Sequence, residues 1–303
     1  MKGEGIRVMS AKDEKTAVLL MRENPHQPPA TFKMEELCGL AEAAGYRVLA
    51  EITQARGRDH RFQIGRGKIL EAMGYQPDML IFYNPLSPHQ IFYIRSEFPS
   101  KVIDRFNLIL EIFSTRASTR EAKLQVELAR LSYEAPLVRN ALSLQKMGEQ
   151  PGFRGAGAYE ESMYKDIKGR MAKIRSALQD VEMMGEDRRR RRRELGFDLV
   201  ALAGYTNAGK STLLNALTGA RILAIDQPFT TLSPTTRGLE IRGRRVLLTD
   251  TVGFIDDLPH FLIKAFRSTL AEISQADLVL LVADLSDPPE LLRRKLVASH
   301  KAL

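Results

Sequence analysis

Residues 204–212 read Gly204-Tyr205-Thr206-Asn207-Ala208-Gly209-Lys210-Ser211-Thr212, and no other stretch constrains the fold as strongly. The pattern is G-x-x-x-x-G-K-[ST]. It works only where a strand enters a tight turn and the turn opens a helix, because the first N–H groups of that helix surround the phosphates. The flanks supply both elements. The apolar run from Phe197 to Ala203 reads as a buried strand, and Leu213-Leu214-Asn215-Ala216-Leu217 as the start of a helix that Gly219 stops. In this arrangement Lys210 reaches the β- and γ-phosphates and the Ser211 hydroxyl ligates Mg²⁺. The competing reading, a Gly-rich turn arising by chance, leaves the flanking pattern unexplained.

With 303 residues the chain has room for two or three domains. A net charge of +8 suits a partner rich in phosphate such as RNA, although a basic chain can also be basic without one. The single cysteine, Cys38, excludes an internal disulfide framework and fits a reducing cytosol. His26, His60, His89, His260 and His300 lack the spacing of a zinc site. No apolar stretch approaches the roughly 18 residues of a membrane span, and the N-terminus has no signal-peptide pattern. The expectation is a soluble, cytoplasmic chain, monomeric by default.

Three segments follow along an α/β chain. Residues 1–115 alternate strands (Thr16–Met21, Arg47–Gln54, Asp78–Tyr83) with helices (Phe32–Ala44, Lys68–Met73), the pattern of an α/β domain with crossover connections. Within it, Gly65-Arg66-Gly67-Lys68 reads as an ordinary turn into a helix, with a backbone anion site as the alternative. Residues 116–195 read as a helical arm. Ser118-Thr119-Arg120-Glu121 has the form of a capping box, and Leu124, Leu128, Leu131 and Ala135 follow at helical spacing until Pro136 ends or kinks the helix. Beyond a Gly-rich tip at Gly152–Gly157, the residues Tyr164, Ile167, Met171, Ile174, Leu178 and Val181 form the seam of a coiled coil. Arg188 to Arg193 close the arm. They serve as a solvated helix face, as contacts to a phosphate backbone, or as both. Residues 196–303 hold the phosphate loop.

Two later elements make that loop more specific. Phe229-Thr230-Thr231-Leu232-Ser233-Pro234-Thr235-Thr236-Arg237 is a polar connector with the character of a mobile switch, in which Thr231 would meet Mg²⁺ and the γ-phosphate. The strand Arg245–Thr249 then ends in Asp250-Thr251-Val252-Gly253, where Asp250 is suited to hold Mg²⁺ through water and the Gly253 N–H to sense the γ-phosphate. A small-molecule kinase needs neither. The next residue is Phe254, which cannot orient an attacking water. Asn207 offers another route to charge stabilisation if its side-chain oxygen ligates a monovalent cation such as K⁺; a structural hydrogen bond that shapes the loop is the alternative.

With these motifs the chain resembles the HflX-type GTPases, relatives of the Obg, Era and MnmE GTPases. The likeness also rests on Asp250–Ile255, Leu258-Pro259-His260, Ala265–Glu272, Asp104-Arg105 and Arg120–Ala129, so it spans nearly the whole sequence. It implies a P-loop GTPase that binds GTP and GDP with Mg²⁺ and docks on the large ribosomal subunit, and it extends to the splitting or rescue of stalled ribosomes. A non-enzymatic RNA-binding protein remains the rival reading. Two positions differ from the family pattern. The tip reads Gly155-Ala156-Gly157-Ala158 where the family has Gly-Pro-Gly-Glu, and Leu303 precedes the point at which the guanine-reading Asn-Lys-x-Asp element is expected. The third domain is therefore expected to be partial, and guanine preference is implied by the resemblance alone.

Overall fold

The computed structural model describes residues 15–26, 31–148, 156–219, 228–229, 235–256 and 273–303. The chain divides into two compact units, Met1–Leu108 and Ile109–Leu303.

In the first unit β1 (Lys15–Glu23), β2 (Tyr46–Ala55), β3 (Met79–Phe82) and β4 (Lys101–Asp104) form one parallel sheet in the order β2-β1-β3-β4. The helices α1 (Thr31–Ala43), α2 (Arg66–Met73) and α3 (Pro88–Glu97) connect successive strands. The step from β1 to β2 runs opposite to the steps from β2 to β3 and from β3 to β4. Right-handed crossovers therefore put α1 on one face and α2 with α3 on the other. Side chains sort accordingly. Val18, Leu20, Leu80, Phe82 and Val102 share a core with Ile69 and Ala72 of α2 and Ile94 of α3. The alternating Ala17, Leu19 and Ile81 are equally buried, which leaves them for the α1 side. Burial on both faces is why these strands read as continuous apolar runs.

The strands and helices expected in residues 1–115 are present within a residue or two, but α3, β4 and α4 (Arg105–Arg116) were not anticipated. Their start signals are local hydrogen bonds. Ser87 and Gln90 form a capping box at α3. At the start of α4, Asp104 accepts from the Asn107 N–H at 3.1 Å and from the Leu86 N–H at 3.1 Å. Arg105 is buried, pairs with Glu36 at 2.7 Å and lies 5.2 Å over the Tyr83 ring. In the turn at residues 65–68, the Gly65 N–H donates to the Gln54 side chain at 2.8 Å, while Arg66 and Lys68 pair with Glu97 and Glu71.

In the second unit α5 (Arg120–Gly148) and α6 (Ala156–Glu194) pack through Leu128, Leu131, Ala135, Ile167, Met171 and Ile174, which is the seam read from the sequence. Arg170 pairs with Glu127 across it at 2.6 Å. Two details differ from expectation. The N-cap is Thr119, whose hydroxyl accepts from the Ala122 N–H at 3.1 Å, rather than Ser118. Pro136 does not end α5; the helix continues through it, and packing of Leu131 and Ala135 against α6 offsets the missing backbone bond. Of the tip expected at Gly152–Gly157, residues 152–155 lie outside the described residues, whereas Ala156 and Gly157 belong to α6.

Gly196, at φ +77°, turns α6 into β5 (Phe197–Gly204). A mixed sheet of order β6-β7-β5-β8 follows, from β6 (Thr235–Ile241), β7 (Arg244–Asp250) and β8 (Leu278–Val282). Only β6 runs antiparallel to its neighbour. The helix α7 (Lys210–Thr218) follows β5, and α8 (Pro289–Ala302) follows β8. Leu202, Leu214 and Leu248 pin β5, α7 and β7 together. Thr235, Thr236 and Arg237, expected in the connector, belong instead to β6, where they pair with β7.

Candidate functional site: a phosphate loop joined to a second switch

The parallel strands β5 and β7 lie side by side with Leu202 opposite Asp250, so the phosphate loop and the Asp250–Gly253 segment leave the same edge of the sheet. Gly204 is at φ +152°, and a Cβ there would come within 2.3 Å of the Val282 carbonyl oxygen on β8. Only glycine allows that approach. Asn207 and Gly209 take left-handed conformations at φ +65° and +82°, and these turn the loop into α7. Asn207 is exposed.

Lys210 opens α7 and is 7% exposed, with its ammonium donating to the carbonyls of Gly204 at 3.1 Å and Tyr205 at 2.8 Å. Burial lowers its pKa to about 8, against the opposing pull of the Asp250 carboxylate. The Ser211 hydroxyl lies 2.5 Å from Asp250 Oδ2. A serine hydroxyl one short hydrogen bond from a carboxylate suits a pair in which Ser211 would ligate Mg²⁺ and Asp250 would hold it through water. Among the described residues no group of three His, Cys, Asp or Glu side chains is placed to hold a metal ion, so the remaining ligands would be phosphate oxygens and water. The Thr251 hydroxyl donates to the Leu202 carbonyl at 2.7 Å, a bond that anchors the segment to β5.

The segment after Asp250 closes over the loop. Tyr205 and Phe254 form a parallel β-bridge in which the Thr206 N–H donates to the Phe254 carbonyl at 2.7 Å and the Phe254 N–H to the Gly204 carbonyl at 3.0 Å. The Asp256 N–H donates to the Tyr205 hydroxyl at 3.0 Å. The Asp256 carboxylate pairs with Arg294 of α8, and Lys295 lies 5.6 Å over the Tyr205 ring. None of these partners was foreseen, since no periodicity ties residue 256 to residue 294. Phe229 at φ +59° is buried and packs edge-on against Phe113 of α4, with centroids 4.6 Å apart. The sequence signal for this was an aromatic at the start of a polar connector.

Of the residues named from the sequence, 204–212, Phe229 and 250–253 are described, whereas Thr230, Thr231, Leu232 and Ser233 lie outside the described residues, as do 257–272. In the arginine run, Arg190 reaches Asp187 and Glu194 of its own helix at 3.2 and 3.7 Å, and Arg191 is exposed.

A phosphate loop after the central strand, a hydrogen-bonded Ser211–Asp250 pair beside it and a glycine-bearing segment after β7 define a P-loop GTPase domain. A family profile described as "50S ribosome-binding GTPase" matches residues 199–302, and profiles described as "GTP-binding GTPase N-terminal" and "GTP-binding GTPase Middle Region" match 31–114 and 116–192. The chain is 47% identical to GTPase HflX of Thermococcus kodakarensis over 95% of its own length and 65% of that protein's. It is 46% identical to GTPase HflX of Methanocaldococcus jannaschii, over 89% and 68%. The chain belongs to the HflX GTPase family, and it spans about two thirds of the length of the relatives it matches. Among solved structures, a GTP-binding protein from Sulfolobus solfataricus in complex with GDP superposes with a TM-score of 0.54 at 29% identity, covering 95% of this chain and 77% of that one. The complex of SsGBP with GDP gives 0.58 at 28% identity, covering 95% and 78%. Among the described residues no helix is long and apolar enough to cross a membrane.

Proposed function

We propose that the chain binds GTP and GDP with Mg²⁺, hydrolyses GTP, and uses its nucleotide state to govern docking on the large ribosomal subunit. The observation that carries this reading is the Ser211–Asp250 pair beside the buried Lys210 ammonium, one constellation drawn from the start of α7 and the end of β7. Lys210 and the N–H groups that open α7 bind the phosphates, and Ser211 and Asp250 hold Mg²⁺, joined by Thr231. When bound, the metal would neutralise charge that develops on the phosphates. Gly253 donates its N–H to the γ-phosphate. Phe254 cannot position water, so Asn207 with a monovalent cation assists hydrolysis from the loop.

The ribosomal part draws support from the profile description "50S ribosome-binding GTPase", the +8 charge and the exposed arginines at the end of α6. The protein would work in the cytoplasm as a monomer, with residues 116–195 as its arm.

Calorimetric titration of this chain with GDP, GTP and ATP in K⁺ and Mg²⁺ tests the reading. Guanine nucleotides should bind, and ribosome affinity should differ between the GDP and GTP-analogue forms. Absence of any nucleotide binding together with constant ribosome affinity would favour a non-enzymatic RNA-binding protein. If stimulated hydrolysis persists when Na⁺ replaces K⁺, the role given to Asn207 fails.

A further inference from the structure

The contacts between Phe254 and the phosphate loop bear on which nucleotide the loop accepts. The β-bridge joins Tyr205 to Phe254 through two backbone hydrogen bonds, and the Phe254 side chain is only 3% exposed. The bridge draws Gly253 down onto the loop. A Cβ on Gly253 would lie 2.7 Å from Thr206 Cα, 2.9 Å from Thr206 Cγ2 and 3.0 Å from the Lys210 ammonium. An oxygen accepting from Lys210 needs about 2.8 Å to itself, with the rest of its phosphate beyond it. While the bridge is closed, the gap between Gly253 and the Lys210 ammonium is smaller than a methyl group needs, and too small for a third phosphate. The bridge engages Gly204 and Thr206 in the first half of the loop and does not use the N–H groups that open α7.

We propose that this clasp makes the protein selective for nucleoside diphosphate over triphosphate, and that Phe254 is the residue that sets the selectivity. The inference rests on the guanine-nucleotide reading above. Admitting a triphosphate requires both backbone bonds to open and Phe254 to leave its buried position. The Tyr205 hydroxyl and Arg294 hold Asp256, two residues on, and so brace the clasp from α8. If the open form is a few per cent of the population, apparent triphosphate affinity falls in proportion, about ten- to hundredfold.

The test compares dissociation constants for GDP and for a non-hydrolysable GTP analogue, with Mg²⁺, in the 303-residue chain and in Phe254→Ala. The native chain should bind GDP more tightly by at least about tenfold. Phe254→Ala should leave GDP affinity within about twofold and tighten the analogue by about tenfold, closing most of the gap. Arg294→Gln, at a partly exposed position, should move the ratio the same way by a smaller factor, and it serves if the alanine variant does not fold. In native protein, hydrogen exchange at the Phe254 amide should be slow with GDP and faster with the analogue. A ratio unchanged in both variants while GDP still binds overturns the clasp and leaves the guanine-nucleotide reading standing. Failure of native protein to bind either nucleotide overturns both.

Discussion

Replacing Gly204 by alanine is the sharpest test of how the phosphate loop is seated. The new methyl would sit 2.3 Å from the Val282 carbonyl oxygen, a backbone atom of the paired strand that cannot swing away as a side chain could. Restoring ordinary contact requires β8 to retreat by roughly 1 Å. Two costs combine. Holding alanine at φ +152° stores about 1–3 kcal/mol of backbone strain, and overpacking against β8 adds about 1–3 kcal/mol. At roughly 2–4 °C per kcal/mol for a unit of this size, the combined cost of about 2–6 kcal/mol should lower the melting transition of the second unit by about 4–24 °C. Gly219→Ala is the control. It also lies at positive φ, +64°, but with open space around it, and should lose only about 1 kcal/mol. Differential scanning calorimetry of nucleotide-free protein gives both numbers. Equal losses in the two variants would refute the steric argument, since strain alone would then account for the whole effect.

Lys210 and Cys38 supply predictions that depend on pH. Lys210 titrates at about 8 when folded and near 10.5 when unfolded, so between those values the unfolded chain holds a proton that the folded one has lost. Stability attributable to this group should therefore rise with pH across that window, by on the order of 3 kcal/mol, and stay flat below it. The native curve minus that of Lys210→Met isolates the effect, and a flat difference would refute it. Nucleotide affinity should fall as pH rises through about 8, because the bound phosphates need the charged ammonium. For Cys38, burial and then the neighbouring Glu42 and Glu51 raise the thiol pKa to about 11. Alkylation at pH 8 should be at least about tenfold slower than for a free thiol; a rate equal to that of glutathione would contradict this assignment.

The parts legible in the sequence were those built from periodic or contiguous signals. Strand, loop and helix at 197–218 follow one another along the chain, and the seam of α5 and α6 repeats at helical spacing. The short, polar-flanked elements were harder. The helix α3 starts Pro88-His89-Gln90, which carries no apolar period, and its marker was the pairing of Ser87 with Gln90. Pro136, an end or a kink on propensity alone, does not end the helix, because packing against α6 outweighs the missing backbone bond. Least legible were contacts between residues far apart in the chain. Arg105, read as part of a family signature, proves to be a buried cation held by Glu36 and Tyr83, and Asp256 meets Arg294 from another element altogether. Composition cannot encode such pairs, because either partner alone is an unremarkable charged residue.

The α6 helix enters the GTPase domain through one glycine. Its 39 residues run unbroken from Ala156 to Glu194, a rod of about 58 Å at 1.5 Å per residue, and Gly196 joins it to the strand that carries the phosphate loop. Geometry makes this a lever with a long arm and a short one. Ten degrees of rotation at the glycine sweeps the far end through about 10 Å, whereas the loop at the near end of β5 moves by a fraction of that. Displacements too small to alter the nucleotide site would be magnified to the scale of a macromolecular contact.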